Sequence, residues 1–265
     1  MKRVAFLTTI FPQNKKFLKS FLDSLSEQTY KDFDLVIVND KFKNLNYYKD
    51  LYSDLNIINI NSTGTPAKNK EVGINYCIEK NYDILIFGDS DDYFKNNRVE
   101  RSIKILNQAD IVVNDLSLFN ENNVYNKRYL SKRIKNLQII KFEFIKNKNI
   151  FGFSNSAMRI FNKKKISIPN DLVAIDWYIF SNFLLKGYKA VFTNETISFY
   201  RQHEQNIIGL KQLDEKSFNK VKNIKIKHFN ALSLNENQFS NELKSLNSLS
   251  FNKKRKIKNP LWWEL

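Results

Sequence analysis

The stretch with the most chemistry in this 265-residue chain is DILIFGDSDDYF, Asp83 to Phe94. An apolar run meets a glycine, and Asp89, Asp91 and Asp92 follow around Ser90. Carboxylates this close repel unless a cation neutralises them. Hard divalent ions such as Mg2+ and Mn2+ take oxygen ligands and bridge one or two carboxylates to substrate phosphates. The plainer alternative is a solvated turn of helix-capping aspartates; the apolar strand just before it favours a built site. Asp40 ends another apolar run, LVIV, where a carboxylate can hydrogen-bond a nucleotide base or ribose, or simply close a turn. TPAKNKEVG, Thr65 to Gly73, places Lys68, Asn69 and Lys70 in the first turns of a helix, where an anion can be held or where polar residues simply face water. Asp176 lies inside the apolar run VAIDWYIF. A charge there is costly to bury, so it either caps a helix or serves as a positioned general base. YRQHEQN, Tyr200 to Asn206, contains His203, one of two histidines, which is either a hydrogen-bonded structural residue or a metal ligand beside the carboxylates.

These groups need elements to hold them. Val4 to Thr9 reads as a strand, and Asn14 to Gln28 as a helix with Phe17, Leu18, Phe21, Leu22 and Leu25 on one face. Strands follow at Asp34 to Asp40, Asn56 to Ile60, in DILIFG and at Asp110 to Asn114, with helices between them. Pro66 is placed to open one of those helices. Such alternation predicts a mostly parallel sheet covered on both faces. Ligands of open α/β sheets bind beyond the carboxyl ends of the strands. Thr8, Thr9, Asn39, Asp40 and Asp89 to Asp92 are all expected on that rim. Beyond Asn120 the alternation weakens. Leu137 to Lys148 reads as helix or strand, FGFSNSAMRIF as a loop entering a strand, and the region from Ala174 as a helix ended by Gly187.

Bulk composition narrows the classes. The chain is 42% hydrophobic and 14% aromatic, enough for a substantial core. A single cysteine, Cys77, excludes an internal disulfide and a cysteine metal cage, and points to the cytoplasm. The opening MKRVAFLTTIFP reads as a buried strand rather than a signal peptide, because two threonines and a proline interrupt its apolar run. No apolar run is long enough for a membrane span. Lys211 to Leu265 holds twelve Lys/Arg and five Asp/Glu and ends in KKRKIKNPLWWEL. This segment, with Trp262 and Trp263, is expected either to lie on an anionic membrane or to form a solvated tail or oligomer contact. Despite the +16 net charge, nucleic acid is not the expected partner, since no nucleic-acid motif is present and the acidic triplet would repel phosphate without a metal.

The order and spacing of Asp40, the Lys-Asn helix start, GDSDD, IDW and YRQHEQN resemble the family 2 glycosyltransferases of GT-A fold, over roughly residues 1–209. That resemblance implies a Rossmann-like α/β domain with helices on both sheet faces, residues 1–115 forming a nucleotide-sugar half and 116–209 an acceptor half. A basic helical extension, 210–265, would follow. It further implies an inverting transferase using Mn2+ or Mg2+. Donor contacts would come from Thr8, Asp40, Lys68, Asn69, Asp89 and Ser90. Asp89, Asp91, Asp92 and His203 would serve the metal, and Asp176 would be the base. Ser154, Asn155 and Trp177 would lie on the acceptor side. The implied partners are a UDP- or dTDP-sugar and a glycan or lipid-linked acceptor of bacterial surface-glycan assembly, at the inner face of the cytoplasmic membrane. A nucleotidyltransferase, or a GT-A-like domain that binds without catalysis, are the alternatives. A nucleotidyltransferase usually carries a Gly-rich loop after its first strand, and TTIFPQNKK has no glycine. Three positions depart from the family pattern: NDKF stands where DDGS is common, Lys68 where Arg is common, and Ile175 where an acid often precedes the base.

Overall fold

The computed structural model describes residues 2–120, 123–161, 164–202, 214–233, 238–252 and 257–265. Its first half is a regular alternation: β1 (Val4–Ile10), α1 (Lys15–Ser26), β2 (Asp34–Asn39), α2 (Leu45–Leu51), β3 (Asn56–Asn61), α3 (Pro66–Glu79) and β4 (Ile84–Phe87). A two-residue strand β5 (Tyr93–Phe94), helix α4 (Arg98–Ile105) and the long β6 (Ile111–Phe119) follow. The second half holds β7 (Val124–Asn126), β8 (Ile139–Ile140), α5 (Phe142–Ile145), β9 (Ser156–Arg159), α6 (Ile175–Leu185), β10 (Ala190–Arg201), α7 (Glu215–Leu232) and α8 (Ser240–Ser248). The ambiguous segment from Leu137 to Lys148 contains both kinds of element, the short β8 and the single-turn α5.

The sheet runs β3-β2-β1-β4-β9-β6-β10-β5. The first four strands pair in parallel, as do β6 and β10; β9 is inserted antiparallel between β4 and β6. Successive side chains of a strand point to opposite faces, and both faces here are apolar. Ala5 and Leu7 join one core with Ile74, Cys77, Phe87 and Trp177. Val4, Phe6 and Ile10 join the other with Leu18, Phe21, Leu22 and Leu25 of α1. Each fully buried Leu or Phe on that helix face contributes roughly 1.5–3 kcal/mol of transfer free energy.

The segment after residue 210 is helical as the pattern implies, but it is built into the molecule. Val221, Ile224 and Phe229 of α7, Leu246 of α8, and Leu261, Trp262 and Trp263 all belong to the same core as Trp177 and Phe180. Trp177 stacks on His228 with ring centroids 3.8 Å apart. Trp262 and Trp263 are both largely buried, and the surface they keep lines a cavity rather than an outward face. Among the described residues, no helix is long and apolar enough to cross a membrane.

Gly88 shows how closely the aspartate turn is seated. A Cβ there would lie 2.5 Å from a ring carbon of Phe6 and 2.9 Å from one of Phe94. Both rings are buried and backed by Phe21. Gly88→Ala is therefore expected to cost about 1–3 kcal/mol through overpacking, read as a lower urea midpoint with unchanged slope.

Candidate active site

The carboxyl ends of β1, β2 and β4 open onto a cleft of about 650 Å³, within the range of small-molecule sites. Thr9, Asn14, Asp40, Asn69, Lys70, Asp89, Ser90, Asp91 and Asp176 all contribute to its lining. At one end, Asp40 accepts a hydrogen bond from Asn69 Nδ2 (2.9 Å), while Asn69 Oδ1 accepts from Ser62 (2.8 Å). The turn beyond Asp40 is made without glycine. Asn39 accepts from the Phe42 N–H and donates to its carbonyl, and Lys41 takes φ 63°. A non-glycine residue in that region costs roughly 1–2 kcal/mol, which the two Asn39 bonds offset. So the turn for which NDKF lacks a Gly-Ser pair forms all the same.

In the centre, the aspartate turn is held from three sides. The Ser90 hydroxyl donates to the Thr9 carbonyl (2.9 Å) and accepts from buried Asn14 (2.7 Å). Ser154 accepts from the Asp89 backbone N–H (3.1 Å). Lys70 places its ammonium 2.9 Å from Asp89 Oδ1 and 4.2 Å from the centroid of the Phe153 ring. Lys70 is itself nearly enclosed, at 8% exposure, while the Asp89 side chain stays open to the cleft.

Asp92 sits behind the cleft. One oxygen accepts from the Arg201 N–H (2.7 Å), and the other is buried without a hydrogen-bond partner. Burial, then the charges of Asp91 and Asp89, hold its carboxyl well above the ordinary carboxylate range. Arg201 donates through Nε to the Asp91 carbonyl (2.7 Å) and lies between the Phe17 and Phe119 rings. Below the turn, fully buried Arg98 donates to the Phe87 carbonyl (2.6 Å) and to Asn114 (3.2 Å), and burial draws its guanidinium down to about 9.

Asp176 begins the first turn of α6, at the point where this cleft meets a second, smaller cavity of about 160 Å³. Its Oδ1 accepts from the Trp177 N–H (2.6 Å) and from Asn149 Nδ2 (3.2 Å). Burial pushes its carboxyl up to about 7, with the Asp89 charge adding to the rise and the Trp177 N–H and Lys70 opposing it. A carboxylate poised near neutrality suits general-base work.

The chain and its fold are matched by known proteins. Residues 9–166 match the model for "Glycosyl transferase family 2". The chain belongs to glycosyl transferase family 2. A curated relative, the uncharacterized glycosyltransferase YwdF of Bacillus subtilis (strain 168), is 30% identical over 110 residues, which spans 40% of each chain. Among solved structures, S. aureus TarS 1–349 in complex with UDP-GlcNAc superposes with a TM-score of 0.64 at 15% identity, over 92% of this chain and 71% of that one. The mannosyltransferase PcManGT from Pyrobaculum calidifontis, in complex with GDP-Man and Mn2+, gives 0.60 at 14% identity, over 93% and 69%. These likenesses establish the GT-A fold of this family 2 chain.

Several expected site residues of the family 2 chain lie elsewhere. Lys68 points outward to Glu71 and is absent from the cleft lining; the lysine that reaches Asp89 is Lys70. Thr8 alternates with Phe6 and Ile10 into the core, leaving Thr9 at the rim. Asn155 is fully buried and spends its amide on Gly152, Asn114 and Ile150, holding the loop before β9. Trp177 is also fully buried, donating its indole N–H to the Ile145 carbonyl. Neither contributes to either cavity. Ser154 acts through Asp89. His203 lies outside the described residues. Asn14, Phe153 and Tyr200 line the cleft without having been singled out as site residues, and Lys70, named only as part of an anion-holding helix start, lines it too.

The donor set suits a hard cation shared with a ligand. Among the described residues, no group of three or more acids, histidines or cysteines is disposed to hold a metal unaided. Two cleft carboxylates, Asp89 and Asp91, are the complement with which Mg2+ or Mn2+ is bound jointly with substrate phosphates. Asp92, turned inward, fits a supporting role better than the ligand role expected of it.

Proposed function

We propose that this family 2 chain is an inverting, metal-dependent glycosyltransferase. It would move a sugar from a nucleoside diphosphate donor to a hydroxyl of a glycan or lipid-linked acceptor in bacterial surface polysaccharide, lipopolysaccharide or glycoprotein glycan assembly. The observation that carries this reading is Asp176, a carboxyl poised near pH 7 where the acid-rimmed cleft meets a second cavity.

Asp40 and Asn69 would hold the base or ribose. Asp89 and Asp91 would hold Mn2+ or Mg2+, which would supply positive charge to offset that growing on the diphosphate leaving group. Lys70 keeps Asp89 aimed into the cleft. Asp176 takes the proton of the acceptor hydroxyl; that oxygen bonds to the anomeric carbon as the bond to the diphosphate oxygen breaks on the opposite face. A single displacement of this kind inverts the centre and needs one base. Bound nucleotide sugars in the superposed TarS and PcManGT structures support the donor class, and the Mn2+ of the latter supports the metal.

A thermal-shift screen tests the reading. UDP- or dTDP-sugars with Mn2+ are expected to raise the melting temperature, GDP- and CMP-sugars to do so less. A ligand at one hundred times its Kd stabilises by about 2.7 kcal/mol. No shift with any nucleotide sugar would count against it.

A further inference from the structure

The small cavity beyond Asp176 has walls of contrasting chemistry. Trp262, Trp263, Tyr200 and Phe153 contribute aromatic surface, while Asp89, Asp176 and Asn149 contribute hydrogen-bonding groups. Among the described residues, no lysine or arginine is part of its lining. We propose that the segment Pro260–Leu265 forms the acceptor subsite, and that this subsite takes one neutral pyranose ring, stacked on the tryptophan wall with its reacting hydroxyl toward Asp176. This inference rests on the transferase reading above and adds the class of acceptor to it.

The segment is fastened in place by residues far away in sequence. Tyr129 donates its hydroxyl to the Pro260 carbonyl (2.6 Å), and the Asn149 N–H donates to the Trp262 carbonyl (2.7 Å). Arg133 forms a two-pronged ion pair with Glu264, whose carboxylate also accepts from the Leu261 N–H (3.0 Å). The Trp262 ring packs against Tyr129 and, edge-on, against Tyr200. Trp263 is held at φ 63°. A bulky residue rarely adopts that conformation, and such strain persists only where surrounding contacts impose it, commonly at ligand clamps. Asn149 joins the two halves of the subsite, bonding Trp262 through its backbone and Asp176 through its side-chain amide.

Surface chemistry selects the occupant. The cavity, about 160 Å³, is close to the roughly 150 Å³ that holds one benzene ring, so it has room for a ring-sized group rather than an extended chain. A pyranose has apolar C–H faces and a rim of hydroxyls, which matches an aromatic wall facing carboxylates and an amide. An open polyol chain offers no flat C–H face to the aromatic wall.

The test uses the full chain with UDP and Mn2+ and, as probes, methyl glycosides of glucose, galactose and N-acetylglucosamine, with glycerol 3-phosphate as the charged, ring-free comparison. Saturation-transfer NMR on the wild type is expected to show at least one pyranoside receiving saturation from aromatic protons, and glycerol 3-phosphate receiving none. Trp263→Leu is expected to raise the acceptor KM at least tenfold while the melting shift with UDP and Mn2+ persists, which shows that the fold and donor cleft are intact. Trp263→Phe, which keeps a ring, should stay within about threefold of the wild-type acceptor KM. Absence of pyranoside saturation, preferential saturation of glycerol 3-phosphate, or an unchanged acceptor KM in Trp263→Leu would overturn the subsite. Should Trp263→Leu not fold, the wild-type NMR comparison decides. Absence of donor binding and hydrolysis in the wild type would instead bring down the transferase reading itself.

Discussion

Asp176→Asn is expected to lower sugar transfer by roughly 10²–10⁴-fold, the usual contribution of a positioned base, while leaving the donor-induced melting shift in place. The amide keeps an oxygen for the Trp177 and Asn149 donors, so the local fold has no reason to change. The same substitution should make the protein more stable at alkaline pH. In the folded chain this carboxyl titrates near 7; in an unfolded chain an aspartate titrates near 3.9. Between those values the native state holds a proton that the unfolded state does not, so ionisation of Asp176 erodes stability as pH rises from about 4 through about 7. Removing the charge relieves that cost, on the order of 1–3 kcal/mol given that the residue is partly open to the cleft. Melting curves should show the variant above wild type at pH 8 and level with it at pH 4. The wild-type kcat/KM should rise with pH along a limb at or below about 7, because Lys70 and a bound cation both favour the ionised form. A variant that loses donor binding, or a pH profile flat from 5 to 8, would remove Asp176 from the role of base.

Chelation is the second large effect. EDTA is expected to reduce turnover by roughly 10²–10³-fold, comparable with loss of a main charge-stabilising group at the reacting centre, and Mn2+ or Mg2+ to restore it. Asp91→Asn should shift the Mn2+ titration to higher concentrations. Asp92→Asn should behave differently. Asp92 is buried against the Arg201 backbone, so its variant is expected to change stability and leave the Mn2+ midpoint close to wild type. Activity indifferent to EDTA would defeat the metal role of Asp89 and Asp91. Equal shifts in both aspartate variants would return Asp92 to the ligand set.

The periodicities carried the fold. The alternation of apolar strands with amphipathic helices specified a sheet buried on both faces, because each element has one period and one dry side. From that alone, Asp40, Asp89 and Asp91 had to reach the ligand rim, since strand ends in such sheets converge there. The placement of Lys70, rather than Lys68, in the cleft could also have been read from spacing. Lys70 stands four residues before Ile74 and three before Gly73, on the inward face of α3, whereas Lys68 pairs with Glu71 on the outward face. Thr8 is the same lesson with period two: it shares the parity of Phe6 and Ile10, and so points into the core.

Sequence by itself thus determined the layered α/β architecture, the rim of carboxylates and the odd buried acid at position 176, all consequences of local pattern and the cost of burying charge. Only the tertiary structure decided which of three neighbouring aspartates faces inward. It also decided that Trp262 and Trp263 close a cavity rather than face outward. Those outcomes depend on contacts between residues more than a hundred positions apart, such as Asp92 with Arg201 and Asn149 with Trp262. Local propensity carries no information about such pairings, because their energy exists only once the chain has closed on itself.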